Sequence, residues 1–249
     1  MTTALYLLDP DPGPAWAPFA GVRPLCELRA GALLVRERWE AFIGTVTTGI
    51  MAQPHLAEFP EAGVPPVGPV HPVAGPAVIG SSTFAPRGLA PPLPAGPVRL
   101  THGGITVGWA MPPGTEWSGP VPHAVAVEVP GVLLRGVHDL VHALDALLPD
   151  DLLSLPRDGD PVPAGSLVIG DPALIAIFGA TVEPGVVFDT SAGPVVLESG
   201  VDVKSGTRLE GPLWAGANTR LLGGLLRHAA IGPHCVVRGE LMHTVFLGY

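Results

Sequence analysis

A chain of 249 residues with 47% apolar side chains and a mean hydropathy of +0.41 can bury one large core or two small ones. Its net charge of −9 and pI near 5.4 exclude the basic field of a general nucleic-acid binder, and no apolar run reaches the roughly 18 residues of a membrane span. Cys26 and Cys235 are too far apart in sequence to suggest a zinc motif or a structural disulfide, and no signal-peptide pattern follows Met1, so a cytoplasmic location is expected.

The first apolar run, Ala4 to Leu8 (ALYLL), reads as a short buried strand leading into the loop Asp9-Pro10-Asp11-Pro12-Gly13-Pro14. The carboxyl ends of such first strands are common ligand sites in α/β domains, which makes Asp9 and Asp11 candidate metal or substrate contacts; a solvated turn is the other reading. Leu28, Ala32, Val35, Trp39 and Phe42 fall at steps of four and three, predicting an amphipathic helix over 28–43 with Arg29, Arg36 and Glu40 on its wet face. Arg36 and Glu40 are spaced as an i,i+4 pair. Arg23 precedes this segment beside Pro24, where a fixed guanidinium could grip a phosphate in bidentate fashion or serve a structural ion pair.

Residues 43–50 read as a strand and 53–59 as a short helix. Residues 98–109 read as a hairpin about Gly103-Gly104, and 124–129 as another strand. A helix is predicted over 137–155 with Leu140, Leu144, Leu147 and Leu148 inward, and Pro149 is expected to break it. His138 and His142 stand one turn apart on it without an evident third ligand and read as surface histidines. Residues 156–164 (PRDGDPVPA) form the expected linker, giving domains at 1–155 and 165–249.

The strongest pattern is at 193–237, GPVVLESGVDVKSGTRLEGPLWAGANTRLLGGLLRHAAIGPHCVV. Leu197, Val203, Leu209, Ala215 and Leu221 recur every sixth residue. Val195, Val201, Thr207, Leu213, Thr219 and Leu225 keep the same interval two residues out of phase. A period of six fits neither an α-helix nor a flat strand, but it fits short strands wound into a parallel β-helix whose aliphatic side chains stack in files. His228, His234 and His243, the only histidines of this region, read as corner residues. The final residues are apolar and carry no polar cap, so the coil is expected to be cut short or completed by another chain.

An α/β half followed by hexapeptide repeats resembles the bifunctional bacterial enzymes that make UDP-N-acetylglucosamine, combining pyrophosphorylase and glucosamine-1-phosphate acetyltransferase halves. It is more closely similar to a divergent bacterial branch of sugar nucleotidyltransferases. The residues that carry the likeness are Arg23-Pro24-Leu25-Cys26-Glu27-Leu28-Arg29-Ala30-Gly31, Arg36-Glu37-Arg38-Trp39-Glu40 and the repeats. The resemblance implies a Rossmann-like nucleotidyltransferase domain and an all-β left-handed parallel β-helix that assembles as a homotrimer. It implies transfer of a nucleotide from a nucleoside triphosphate to a sugar 1-phosphate with release of pyrophosphate, assisted by Mg²⁺. Arg23-Pro24-Leu25 stands where the family has Lys-Pro-Leu, so Asp9, Asp11, Arg23 and Gly31 become the expected nucleotide contacts, with Asp9 and Asp11 also the expected metal ligands.

The departures are plain. The loop after the first strand holds one glycine, Lys204 and Asn218 are the only lysine and asparagine, and no aspartate lies between Asp11 and Asp139. Glu116 and Glu128 are other carboxylates that could serve. Two further readings stay open: a hexapeptide acyltransferase using acetyl-CoA once further coils are supplied, and a non-catalytic scaffold of the same fold.

Overall fold

The structure, a computed structural model, describes residues 3–9, 11, 13–57, 59, 61, 63–156 and 159–248. The expected positions Pro10, Pro12, Arg157, Asp158 and Tyr249 lie outside the described residues. The chain divides into two compact units, one of residues 1–28 and 33–139, the other of 29–32 and 140–249. The division falls inside the second long helix, whereas the expected limits kept that helix whole in the first domain and set a linker at 156–164.

The first unit is built on a mixed sheet of seven strands: β1 (Ala4–Leu8), β2 (Thr47–Met51), β3 (Val67–Gly68), β4 (Ala77–Ser81), β5 (Val98–His102), β6 (Ile105–Met111) and β7 (Val125–Glu128). Their spatial order is β7-β5-β6-β4-β1-β2-β3. β1 pairs in parallel with both β2 and β4, while β6 runs antiparallel to β4 and β5. Leu5 and Leu7 of β1 are fully buried on one face, as period-two alternation requires. The β5–β6 turn is the two-glycine turn expected from the sequence, with Gly103 at φ 55° and Gly104 at φ 78°.

Helix α1 runs over Val35–Ile43 only, seven residues shorter at its start than the spacing predicts. Leu25–Glu27 forms a 3-10 turn, and Arg29–Ala30 and Leu33–Leu34 pair as two-residue strands. Gly31 reverses the chain between them at φ 72°, far from the helical value near −63°. The later part of the predicted stripe survives: Val35, Trp39 and Phe42 are buried. The wet face does not. Arg29 is buried with its guanidinium 4.4 Å from the Trp214 ring, and Arg36 bridges the buried Glu27 at 2.6 Å and Glu40 at 3.2 Å. The predicted helix at 53–59 is one 3-10 turn, Pro54–Leu56.

Trp39 lies so close over β4 that a Cβ on Gly80 would stand 2.6 Å from its ring, and its indole donates to the Ser81 carbonyl at 3.0 Å. Gly80→Ala is therefore expected to cost about 1–3 kcal/mol through overpacking. A urea midpoint unchanged from the wild type would contradict this packing.

The second unit contains the described strands β8 (Leu167–Ile169), β9 (Ile175–Ile177), β10 (Thr181–Val182), β11 (Val187–Asp189), β12 (Val195–Leu197), β13 (Asp202–Val203), β14 (Thr207–Ala215), β15 (Arg220–Ile231) and β16 (Val236–Phe246). They stack in three columns of parallel pairs. One follows Val168, Phe188, Leu209, Leu226 and Leu241; the second Ile177, Leu197, Ala215, Ile231 and Phe246; the third Val182, Val203, Leu221 and Val237. These files form one continuous core. Both predicted rows are buried through Leu221, but the last member of the second row is not: Leu225 is only half-buried and Leu226 takes the inward place. The reason is a change of pitch. From Val195 to Leu213 a turn takes 18 residues, three sixes, whereas from Leu213 to Ala229 it takes 16 and from Ala229 to Thr244 it takes 15. The shorter turns close through corners at His228 and His243, each at φ 48°, with Asn218 and His234 at φ 60° in other corners.

Helix α2 (Val137–Ser154) continues through Pro149 rather than breaking there. Leu140, Leu144, Leu147, Leu148 and Leu152 are buried, and Leu144, Leu148 and Leu152 share one cluster with Ala176, Val196, Trp214 and Ala230 from the outward side of the second column. That apolar seam holds the helix despite the hydrogen bond Pro149 cannot make. Among the described residues no helix is long and apolar enough to cross a membrane.

Candidate active site

The carboxyl ends of β1 and β4 meet the start of the antiparallel β6 at one edge of the sheet, the edge at which open α/β sheets bind ligands. Asp9 follows β1 directly and is 4% exposed. Its backbone donates to the Met51 carbonyl at 2.8 Å, which continues the β1–β2 pairing by one residue. Its Oδ2 accepts from the Leu25 backbone at 2.9 Å, while Oδ1 is buried without a hydrogen-bond partner. Burial pushes this carboxyl up to about 7; the Leu25 bond and nearby His55 pull the other way. Cys26 lies beside it, fully buried, its thiol held well above the usual range first by burial and then by Glu27 and Asp9. Such a thiol is inert at neutral pH.

Asp11 is exposed and accepts from the Gly13 backbone at 3.2 Å, a side-chain turn that Gly13 completes at φ 71°. It also borders a cleft of about 370 Å³ whose other walls include Trp16, Thr83, Ile105, Leu133 and Arg135. Thr83 follows β4, Ile105 opens β6, and Leu133 lies in the strand Gly131–Leu133 paired with Phe84–Pro86. The cleft thus joins an aromatic wall, apolar side chains, one carboxylate and one guanidinium. Arg135 is exposed; its backbone donates to the Asp139 carboxylate at 2.6 Å, and its guanidinium makes no ion pair among the described residues.

Arg23 does not border this cleft. Its guanidinium is 2.9 Å from Glu61, 3.4 Å from the Glu27 carbonyl, and 5.8 Å from the Phe59 ring centre. Gly31 serves the turn described above and is not among the cleft walls. Glu128 accepts from Thr101 at 2.9 Å and from the Gly103 backbone at 2.5 Å, bonds that hold its carboxyl below the ordinary range. Glu116 pairs with Ala74 in a two-stranded ribbon. Arg135 was missed by sequence reasoning; its only local signal is an arginine-glycine pair at the threshold of a helix.

An α/β sheet with a carboxylate-bearing cleft at its parallel edge is the frame of many nucleotide-binding enzymes. Residues 7–83 match the family model described as sugar nucleotidyl transferase. The match takes in Asp9, Asp11, Arg23, α1, β2 and β4, and supports a sugar nucleotidyltransferase-like region there. No curated protein matches the chain.

Hard oxygen donors suit Mg²⁺, which is commonly held by one or two carboxylates with the remaining positions filled by water and substrate phosphate. The orphaned Oδ1 of Asp9 and the exposed carboxylate of Asp11 are oxygen donors of that kind, although Asp11 lines the cleft and Asp9 does not.

Proposed function

We propose that this chain is a sugar-1-phosphate nucleotidyltransferase of nucleotide-sugar synthesis, with substrates like those of UDP-N-acetylglucosamine formation. A phosphate oxygen of the sugar 1-phosphate attacks the α-phosphorus of a nucleoside triphosphate, and the bond to the β-phosphate breaks to release pyrophosphate. The observation that carries this reading is the buried, half-satisfied Asp9 at the carboxyl edge of β1, inside the segment matched to the transferase family.

Asp9 and Asp11 would hold Mg²⁺, which when bound neutralises phosphate charge. The chain's own groups do the rest. Trp16 and Leu133 give the cleft apolar walls that exclude water around a bound ligand, and Arg135 offers an unpaired guanidinium to phosphate oxygens. Arg23 can join them by exchanging Glu61 for a phosphate; both side chains are about one-fifth exposed, so neither is locked away. The left-handed winding of the coil, a homotrimer built through it and a cytoplasmic location belong to the same proposal. Acetyl transfer from acetyl-CoA does not, because the observation above concerns the sheet unit alone.

The test is pyrophosphate release from a panel of nucleoside triphosphates and sugar 1-phosphates with Mg²⁺. Turnover is expected for at least one pair, and Arg135→Ala is expected to lower kcat/KM by about 10²–10³-fold, the usual loss when one preorganised electrostatic donor is removed. No turnover with any pair, together with no nucleotide-dependent rise in melting temperature, would defeat the reading.

A further inference from the structure

The last two turns of the coil put two histidines on top of each other. His228 and His243 are one 15-residue turn apart, in register between the pairs Arg227–Met242 and Ala229–Thr244. Both occupy the left-handed backbone region at φ 48°, uncommon for a residue with a side chain. Their rings stack with centres 4.2 Å apart and planes at 25°. Helix α2, seated on the adjacent column through Leu144 and Leu148, brings Asp145 to the same corner. Asp145 Oδ1 stands 3.3 Å from His228 Nε2 and 3.0 Å from His243 Nε2.

We propose that Asp145, His228 and His243 form a binding site for a divalent transition-metal ion of the zinc type, clamping helix α2 to the last two coil turns. The donor atoms of the three lie within 4.8 Å of one another. Ligand atoms about 2.0–2.1 Å from a tetrahedral ion stand about 3.3–3.4 Å apart, close to the two distances above. His228 Nε2 is buried and makes no hydrogen bond. Its ring edge faces the cluster, with Nε2 3.3 Å from Asp145 Oδ1, so an ion there would satisfy an atom the fold leaves without a partner.

Two imidazoles and one carboxylate favour zinc over Mg²⁺. Asp145 and His243 are largely exposed, so the ion has a route in and a position left for water. The neighbouring Arg227 points its charge toward Glu210, 3.7 Å away. Closing both lone pairs on one ion requires the stacked rings to open beyond 25°. This site is independent of the nucleotide chemistry proposed above.

The test uses the full chain, stripped with a chelator and titrated with Zn²⁺ by calorimetry, with Co²⁺ as a visible-light probe. Stoichiometric uptake, a zinc-dependent rise in melting temperature and the absorption of a low-symmetry cobalt site are expected. His228→Asn, His243→Asn and Asp145→Asn should each abolish all three; asparagine tolerates the left-handed corner, so the histidine variants retain their backbone. His138→Asn, on the exposed pair with Asp139, should leave uptake unchanged. If a histidine variant fails to fold, Asp145→Asn, at an exposed helix position, decides alone. No zinc uptake by the wild-type chain, or uptake unaffected by Asp145→Asn, would overturn the assignment.

Discussion

Asp9→Asn is expected to gain most stability relative to the wild-type chain at pH 8 and less than half as much at pH 5, while losing about 10²–10³-fold in transferase activity. The two effects share a cause. The folded-state pKa of about 7 lies above the ordinary aspartate value of 3.8 because burial disfavours the charged form. Below about pH 4 the carboxyl is neutral whether the chain is folded or unfolded. Between about pH 4 and 7 the folded chain retains a proton that the unfolded chain has released, so stability falls as pH rises across that window. A shift of this size corresponds to at most about 4 kcal/mol. Asparagine carries no such charge, yet its amide oxygen can still accept from the Leu25 backbone. Above pH 7 the wild-type carboxylate is left with a buried, unsatisfied oxygen, which is the state a cation would relieve. Melting temperatures of both proteins from pH 5 to 8 without metal, together with pyrophosphate release at pH 8, test the pair of effects. Parallel melting curves across the range would show that Asp9 is not the strained carboxyl described here.

That strain could not be read in the sequence. The DPDPG run marks a loop and a strand end, but the orphaned Oδ1 arises from Leu25 and Met51, residues 16 and 42 positions away whose approach depends on the sheet. The coil was more legible, because its side chains repeat with the turn itself: Leu197, Val203, Leu209, Ala215 and Leu221 are all inward. Legibility ended at Leu225, where turns of 16 and 15 residues replace turns of 18 and a fixed period of six loses phase. Gly31 shows the opposite failure. The stripe from Leu28 to Phe42 is truly apolar, but one positive φ makes its first half a hairpin, and periodicity cannot tell a buried hairpin residue from a buried helix residue. Reading the repeat-region histidines as corners agrees with their backbone angles. The nearness of Asp145, 98 residues before His243, left no local trace.

Phe188→Ala is expected to destabilise the coil unit by about 3–5 kcal/mol, the usual cost of emptying an aromatic site in a packed core. Phe188 is fully buried in β11, between Val168 one turn earlier and Leu209 one turn later in the same file. Parallel pairing on both sides fixes the backbone at the spacing of adjacent strands, near 4.8 Å, so the turns cannot collapse along the coil axis to fill the void. The neighbours in the file are aliphatic and cannot reach across the space a ring leaves. Phe188→Leu, which keeps most of the volume, should cost much less than the alanine change, and Leu241→Ala, where the file is only partly buried, should fall between no effect and the full loss. Urea unfolding of the three variants gives the comparison. A loss below about 1 kcal/mol for Phe188→Ala would mean that the cavity closes, which requires the turns to slide past one another and is incompatible with a ladder bonded on both sides.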